Sequence, residues 1–205
     1  MIEWFAQFWA GLKATSTLEL SANVFNLIAV WLAGRNSVHT WWTGIIAVVL
    51  FGILFFEGKL YADVTLQVFF VFTSIYGWYA WMNGGKGRKE LPISRVSRTH
   101  LLAFFVAGAL ITLGYGALLH TFTDAYYPFI DSIVLSGSII AQLLLMNRKL
   151  ENWLFWIVVN IVAVPLYASK GWSFTSGVYV LFLFNAIYSQ YVWWQLWRKQ
   201  PREAV

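Results

Sequence analysis

The chain has 205 residues, of which 60% are hydrophobic and 11% are charged. A soluble domain carries about a quarter charged residues, and its polar surface would not cover so apolar an interior. Cysteine is absent, which excludes disulfide scaffolds and thiolate metal sites. The net charge of +5 comes from basic residues scattered between apolar stretches, so it does not indicate a nucleic-acid-binding face. The composition predicts a polytopic membrane protein.

Seven apolar stretches are long enough to cross the hydrocarbon core as helices, which takes roughly 20 residues each. None shows the period-two alternation of a barrel strand. Helices are therefore the only spanning structure left, and the predicted fold class is an all-α integral membrane protein. The predicted spans are Leu18–Gly34, Val38–Phe56, Leu60–Met82, His100–His120, Pro128–Asn147, Asn152–Ser169 and Phe174–Trp197.

The N-terminal residues are predicted to form a short helix on the membrane surface. They do not form a secretory signal, because they carry Glu3 and no early Lys or Arg. Their large apolar side chains fall on one helical face, as in an interfacial amphipathic helix. These side chains are Trp4, Phe5, Phe8, Trp9 and Leu12.

The distribution of Lys and Arg predicts the orientation of the spans. With seven spans, three of the 14 basic residues fall on one side and eleven on the other. Five of the eleven lie between Lys86 and Arg98, before the fourth span. Because short cytoplasmic segments carry an excess of Lys and Arg, the C-terminus is predicted to be cytoplasmic and the N-terminus outside.

The chain aligns with itself without gaps at an offset of 112 residues, which pairs Trp41 with Trp153 and Trp81 with Trp193. Two three-span units joined by one unpaired span predict a 3+1+3 arrangement with both units in the same direction, as in SWEET-type sugar transporters. Parallel repeats of this kind place a substrate site near the membrane midplane. The predicted organisation is an interfacial segment (1–17), a first three-helix repeat (18–82), a basic cytoplasmic loop with a linker helix (83–127), a second repeat (128–198) and a cytoplasmic tail (199–205).

Polar side chains inside the spans mark the predicted site. An intramembrane polar residue is by default a candidate for a functional site, although such amides can also simply bond neighbouring helices. Glu19 and Asp131, near span ends, are interpreted as helix N-caps at the outer interface, with ligand contact as the alternative. Polar stripes contain Asn23, Asn26, Gln67, Ser74, Ser138, Gln142, Asn160, Asn185 and Gln190.

The tryptophans divide into two predicted groups. Trp78 and Trp156 lie deep in their spans beside polar neighbours, and they suit a flat aromatic or cationic ligand held by stacking and cation–π contacts. The others near span ends are interpreted as interfacial belt residues. These are Trp41, Trp42, Trp193, Trp194 and Trp197.

Other classes of protein have less support. The segment Thr112–Gly116 resembles a potassium-filter pentapeptide, but it lies inside the fourth span rather than in a re-entrant loop. The last span has no lysine for a retinal Schiff base. His39 lies in the second predicted span, and His100 and His120 lie at opposite ends of the fourth, without metal-ligand spacing; no nucleophile–base pair is evident. Neither an enzyme nor a metal or cofactor site is expected.

Several segments carry a resemblance to a known family. They are Leu50–Ile53 with Phe55–Phe56, Leu60–Ala62 with Leu66–Phe70, Ile75–Trp81, Pro128–Phe129 with Asp131–Ser132, and Glu151–Trp153 with Trp156 and Asn160. In these segments the sequence resembles the bacterial nicotinamide riboside transporters of the PnuC type. The resemblance extends from the first span to the last.

The resemblance implies uptake of nicotinamide riboside across the bacterial inner membrane by facilitated diffusion, with a SWEET-like fold and no cofactor. It also implies homotrimers with one pathway per protomer, and retention of the riboside through phosphorylation by a cytoplasmic kinase. A pyridinium ring and a ribose suit Trp and Tyr faces beside Asn and Gln amides. The predicted substrate-binding residues are Gln67, Tyr76, Trp78, Trp156, Asn160, Asn185, Tyr188 and Gln190.

Two alternatives stay open. Within transport, the substrate is a related vitamin or nucleoside such as thiamine. In a different class, the protein is a membrane ligand sensor that signals through the basic segment Lys86–Arg98.

Overall fold

The computed structural model describes residues 2–58, 61–84 and 90–200. The side chains of Trp4 and Phe5, and the basic residues Lys59, Lys86, Arg88, Lys89 and Arg202, lie outside the described part. Within the described ranges the chain folds into eight helices. These are α1 (Ile2–Ala14), α2 (Thr17–Gly34), α3 (Thr40–Glu57), α4 (Tyr61–Asn83), α5 (Arg98–Phe122), α6 (Pro128–Met146), α7 (Asn152–Ser169) and α8 (Ser173–Lys199).

Five helices, α2, α3, α5, α6 and α7, are long and apolar enough to cross a membrane. The helices α4 and α8 contain 23 and 27 residues but are not among these five. Both are rich in Tyr, Trp, Ser, Asn and Gln, which lower the mean hydropathy of a helix without shortening it. Of the seven predicted spans, five are therefore supported by length and hydropathy, and two by length alone.

The helix boundaries repeat at the predicted offset. The helices α3 and α7 each contain 18 residues and begin 112 residues apart. The backbone is left-handed at Asn36 (φ 56°) and at Arg148 (φ 53°), two positions that are also 112 residues apart. Non-glycine residues seldom adopt this conformation, so the two halves share a backbone path and not only a composition.

The packing of the helices follows the same relation. Helix α2 packs on α3 and α3 on α4, just as α6 packs on α7 and α7 on α8. Between the halves, α2 contacts α8 and α6 contacts α4, and a two-fold rotation exchanges these two contacts. Helix α5 packs on α6, and α1 packs on the start of α8, where the rings of Phe8 and Phe174 lie 5.6 Å apart.

Four buried tryptophans lie where the C-terminal ends of α2, α4, α6 and α8 meet. The ring centroids of Trp81 and Trp193 are 5.7 Å apart. The Trp81 ring packs edge-to-face on Trp41, and the Trp193 ring packs edge-to-face on Trp153. All four side chains are at most 2% exposed. We call this end of the molecule the Trp end.

Two hydrogen bonds at the Trp end join the halves. The indole N–H of Trp193 donates to the carbonyl of Ala33 at 3.0 Å, and that of Trp81 donates to the carbonyl of Leu145 at 3.2 Å. Donors and acceptors are each 112 residues apart, so the bonds are equivalent in the two halves. They satisfy carbonyl groups in the last turns of α2 and α6.

The burial of Trp41 and Trp193 corrects the prediction that they belong to an interfacial belt. Their immediate neighbours Trp42 and Trp194 are 39% and 42% exposed, as such a belt requires. Consecutive helical residues point in directions about 100° apart, so nearness to a span end does not determine which residue faces outward.

Residues 90–97 cross the Trp end between α4 and α5, and we call them the strap. A parallel bridge joins Ser94 to Lys149, and Ile93 is fully buried against the tryptophans. The guanidinium of Arg95 donates to the Glu151 carboxylate at 3.0 Å. The described part of the predicted basic loop is therefore attached to the second half of the molecule.

Candidate binding cavity

A cavity of about 1140 Å³ lies between the two halves. Its walls come from α2, α3 and α4 on one side and from α6, α7 and α8 on the other, with contributions from α1 and α5. The cavity exceeds the roughly 300–1,000 Å³ typical of small-molecule sites. It extends from the first turns of α2 and α6 to the Trp end.

The two ends of the cavity differ in accessibility. At the Trp end the wall includes Trp41, Trp153 and Ala33, each 2% exposed. At the opposite end, which we call the open end, the wall residues Tyr126 and Trp172 are 77% and 57% exposed. The cavity is therefore closed at the Trp end and accessible at the other.

Charged side chains line the open end. The Lys170 ammonium donates to Asp131, with 2.6 Å between Nζ and Oδ1. Glu19 and Asp63 also lie in the wall. Three carboxylates and one ammonium group give this end an excess of negative charge, which favours the approach of cations.

The acids Glu19 and Asp131 are not helix N-caps, contrary to the favoured interpretation of the sequence. The N-cap residues are Ser16, whose hydroxyl accepts the Glu19 N–H, and Tyr127. Both acids lie in the first turn of their helices, where the helix dipole stabilises a carboxylate. Both also line the cavity, which keeps ligand contact open for them.

Three amide side chains line the cavity without a hydrogen-bond partner among the described residues: Asn26, Gln67 and Asn160. Asn160 is 3% exposed, and Trp156 lies one turn before it on α7 in the same wall. Asn26 and Gln67 are half-buried, and the amide groups of all three residues are free to bond to whatever occupies the cavity. These amides therefore favour a polar ligand or water inside the cavity.

Three of the predicted site residues lie on the outer surface instead. Tyr76, Trp78 and Tyr188 are 49%, 36% and 53% exposed and do not line the cavity. On α4 the inward position is Gly77, where a Cβ would lie 2.4 Å from the indole ring on α3. Tyr76 and Trp78, the residues before and after Gly77 in the chain, consequently point away from that contact. The structure therefore does not bring these three predicted side chains to the cavity wall.

Asn185 and Gln190 contribute to helix packing rather than to the cavity wall. The Asn185 amide donates to the carbonyl of Val30 at 3.1 Å and thereby joins α8 to α2. The Oε1 atom of Gln190 is buried and has no hydrogen-bond partner in the described ranges. Of the eight predicted residues, the structure brings three to the cavity: Gln67, Trp156 and Asn160.

Other wall residues were outside the predicted set. Asn26 and Ser138 line the cavity from equivalent positions of α2 and α6. Each belongs to the polar stripe of its own helix, and this is the sequence feature from which they could have been predicted. At the open end, Tyr167 stacks on Trp172 with centroids 5.8 Å apart and lies 4.9 Å from Tyr179. No pattern distinguished these rings, because aromatic residues make up 20% of the chain.

The two halves contribute different side chains to the middle of the cavity. Trp156 and Asn160 on α7 correspond on α3 to Gly44 and Val48, which also line the cavity. A Cβ on Gly44 would approach Ala29 at 3.8 Å, an ordinary contact. One half therefore supplies a ring and an amide, and the other leaves space.

The described residues contain no group of His, Asp and Glu side chains that could hold a metal ion. The cavity instead offers a ring face, unpaired amides and carboxylates, in a chamber closed at one end between two matched helical units. A repeated helical scaffold around a central site is the architecture of a membrane carrier for small molecules. The fold and the cavity thus define a polytopic membrane transporter.

Comparison with known proteins identifies the family. Residues 16–195 match the family described as nicotinamide mononucleotide transporter. The match covers most of the chain, so the protein belongs to this family, which is a family of transporters and not of enzymes.

Individual relatives cover nearly the whole chain. Over 221 residues it is 29% identical to the nicotinamide riboside transporter PnuC of Escherichia coli (strain K12), covering 96% of this chain and 92% of that protein. It is 27% identical to the riboflavin/roseoflavin transporter RibM of Streptomyces davaonensis, with 91% and 89% covered. The crystal structure of the vitamin B3 transporter PnuC has the same fold, with a TM-score of 0.74, 23% identity, and 98% and 92% covered.

Proposed function

We propose that the protein takes up nicotinamide riboside across the bacterial inner membrane by facilitated diffusion. The observation that carries this proposal is the pairing of Trp156 with Asn160, an aromatic face beside a buried and unpartnered amide in one cavity wall. Membership of the transporter family and the names of the PnuC relatives support the same substrate.

Nicotinamide riboside has three chemical features that the cavity complements. Its flat pyridinium ring carries a positive charge, which suits the face of Trp156, at about 0.5–2 kcal/mol for a cation–π contact. Its carboxamide both donates and accepts hydrogen bonds, as do Asn160 and Gln67. Its ribose hydroxyls can bond to an amide such as that of Asn26. The acidic open end attracts the cation.

The proposed membrane arrangement has seven spans, with α4 and α8 crossing beside the five more apolar helices. The two units, 18–82 and 128–198, form a parallel, SWEET-like 3+1+3 fold in which α5 is the linker crossing and α1 lies at the membrane surface. The repeated helix boundaries and the exchangeable contacts of α2 with α8 and of α6 with α4 support this arrangement.

The Trp end is proposed to face the cytoplasm. Five arginines of the described part lie in the helix ends and connections there, as the excess of basic residues in cytoplasmic segments requires. The N-terminus is then outside and the cavity is open to the outside. These arginines are Arg35, Arg95, Arg98, Arg148 and Arg198.

Two further features of the proposal rest on the family resemblance. The protein assembles as a homotrimer with one pathway per protomer. A cytoplasmic kinase phosphorylates the riboside, and the resulting negative charge retains it in the cell.

Calorimetric titration of the purified protein with nicotinamide riboside, thiamine and riboflavin tests the substrate. We expect the riboside to bind, and Trp156→Ala or Asn160→Ala to weaken that binding about tenfold or more, because each removes a direct ligand contact. The matched controls Trp78→Ala and Asn83→Ala change exposed side chains outside the cavity and keep the parent affinity. Unchanged affinity in both cavity variants would refute the site.

Counterflow of labelled riboside in liposomes separates a transporter from a ligand sensor, because a sensor binds without moving its ligand. We expect exchange that saturates with riboside concentration and needs neither ATP nor an ion gradient. Binding of thiamine or riboflavin, with no binding or exchange of the riboside, would assign the cavity to the alternative vitamin.

A further inference from the structure

Asn36 and Arg148 occupy equivalent positions of the two halves and contact each other. The Arg148 Nε–H donates to Asn36 Oδ1 at 2.8 Å across 112 residues of sequence, and Nη2 lies 3.4 Å from the Asn36 carbonyl. In a structure with two-fold symmetry, equivalent residues touch only where they lie beside the axis. The pair therefore marks the axis between the halves at the Trp end.

The indole rings of Trp81 and Trp193 are a second equivalent pair at this axis, with centroids 5.7 Å apart. The Arg148 guanidinium lies over the Trp81 ring, 4.4 Å from its centroid. It therefore contacts the opposite half twice, through the Trp81 ring of the buried tryptophan cluster and through Asn36.

Arg148 is held from several directions at once. Its side chain is 5% exposed, and Nη1 donates to the Leu91 carbonyl in the strap. Burial lowers the pKa of the guanidinium, and the Glu90 carboxylate, 3.6 Å from Nη1, opposes that shift. The Arg148 carbonyl accepts the Ser94 N–H, which joins this part of the strap to the second half, while the Leu91 N–H donates to the Trp81 carbonyl of the first half. On the first half, Arg148 bonds to Asn36 and packs on the Trp81 ring.

We propose that Arg148 is the latch of the Trp end: its bonds to Asn36 hold the cavity closed there and break whenever the two halves separate to open that end. The transport step in this statement rests on the proposed function, whereas the closure itself does not. A motion that opens the Trp end separates the residues beside the axis there, and these two carry a charged hydrogen bond between the halves.

Because the chain contains no cysteine, accessibility of the cavity can be measured with one introduced thiol. Ser138→Cys places it in the cavity wall, and Lys199→Cys on the exposed end of α8 identifies the Trp side of the membrane. A membrane-impermeant thiol reagent is added from each side to vesicles of known orientation. In the otherwise unchanged chain, the thiol at position 138 reacts mainly from the open end.

Two substitutions are expected to act in opposite directions. Arg148→Gln removes the charged bond and increases the labelling rate of the thiol at position 138 from the Trp side by about tenfold or more. Asn36→Asp converts the bond into an ion pair and decreases that rate by several-fold, and it slows riboside exchange in liposomes. Arg35→Gln is the matched control, because this guanidinium stacks on the exposed Trp31 instead, and labelling stays at the parent rate.

Equal labelling from the Trp side in the parent, Arg148→Gln and Asn36→Asp would overturn the latch, as would a change in the same direction for both variants. If Arg148→Gln does not fold, Asn36→Asp alone decides between the outcomes. Failure of the proposed function is distinguishable, since the parent protein would then neither bind nor exchange the riboside while the labelling measurements still report on the Trp end.

Discussion

The two ends of the cavity are built from different chemistry, although the same helices run between them. At the Trp end, indole N–H groups and Arg148 bond from one half to the other, and four tryptophan rings are buried. At the open end, the pair Asp131–Lys170 joins α6 to the end of α7 within one half, so it does not oppose separation of the halves. The cavity is therefore closed at the end where side chains bond from one half to the other, and it is open at the end where the ion pair lies within a single half.

The largest expected effect comes from breaking the Trp end itself. Trp193→Ala removes a fully buried ring and its bond to the Ala33 carbonyl, and we expect the free energy of unfolding to fall by about 3–5 kcal/mol. The variant at the neighbouring position, Trp194→Ala, removes an exposed ring and should change the free energy of unfolding by roughly 0.5 kcal/mol or less. Unfolding in detergent measures both, and equal losses would contradict the assignment of Trp193 to a core between the halves.

A smaller effect is expected in the middle of the cavity, where the halves differ most. Gly44→Leu adds a large side chain to the cavity wall at the position equivalent to Trp156 and should weaken riboside binding by about tenfold to a hundredfold, because an overfilled site costs roughly 1–3 kcal/mol. Gly114→Leu is the matched control, since a Cβ there meets nothing within 4 Å. Calorimetry measures both affinities, and parent affinity in the Gly44 variant would place the ligand elsewhere.

The smallest effect is expected at the open end. Asp131→Asn removes one partner of an ion pair whose side chains are 26% and 18% exposed, so the loss in the free energy of unfolding should stay below about 1 kcal/mol and shrink as salt is added. Glu57→Gln, at the exposed end of α3, is the control with no expected change. A loss as large as that of Trp193→Ala would show that the open end also holds the structure together.

Much of the scaffold was predictable, and the site only in part. Trp156 and Asn160 were predicted to share a face because they are spaced four residues apart in an apolar helix, and both line the cavity. Spacing of this kind did not locate Tyr76 and Trp78, because it tells which residues share a face but not which face points inward. On α4 the inward face is marked by Gly77, whose small size admits the ring of α3, and small residues attract less notice than aromatic ones.

The sequence by itself determined the membrane class, the positions of the helices and the 112-residue repeat, because hydropathy and spacing are properties of contiguous residues. Only the tertiary structure decided that the repeated tryptophans meet as a buried cluster rather than facing the membrane interface. It also decided that Asn36 meets Arg148, and that Trp156, Asn160 and Gly44 line one cavity. These contacts depend on how helices far apart in the chain are rotated and placed against one another, and no local pattern specifies that rotation.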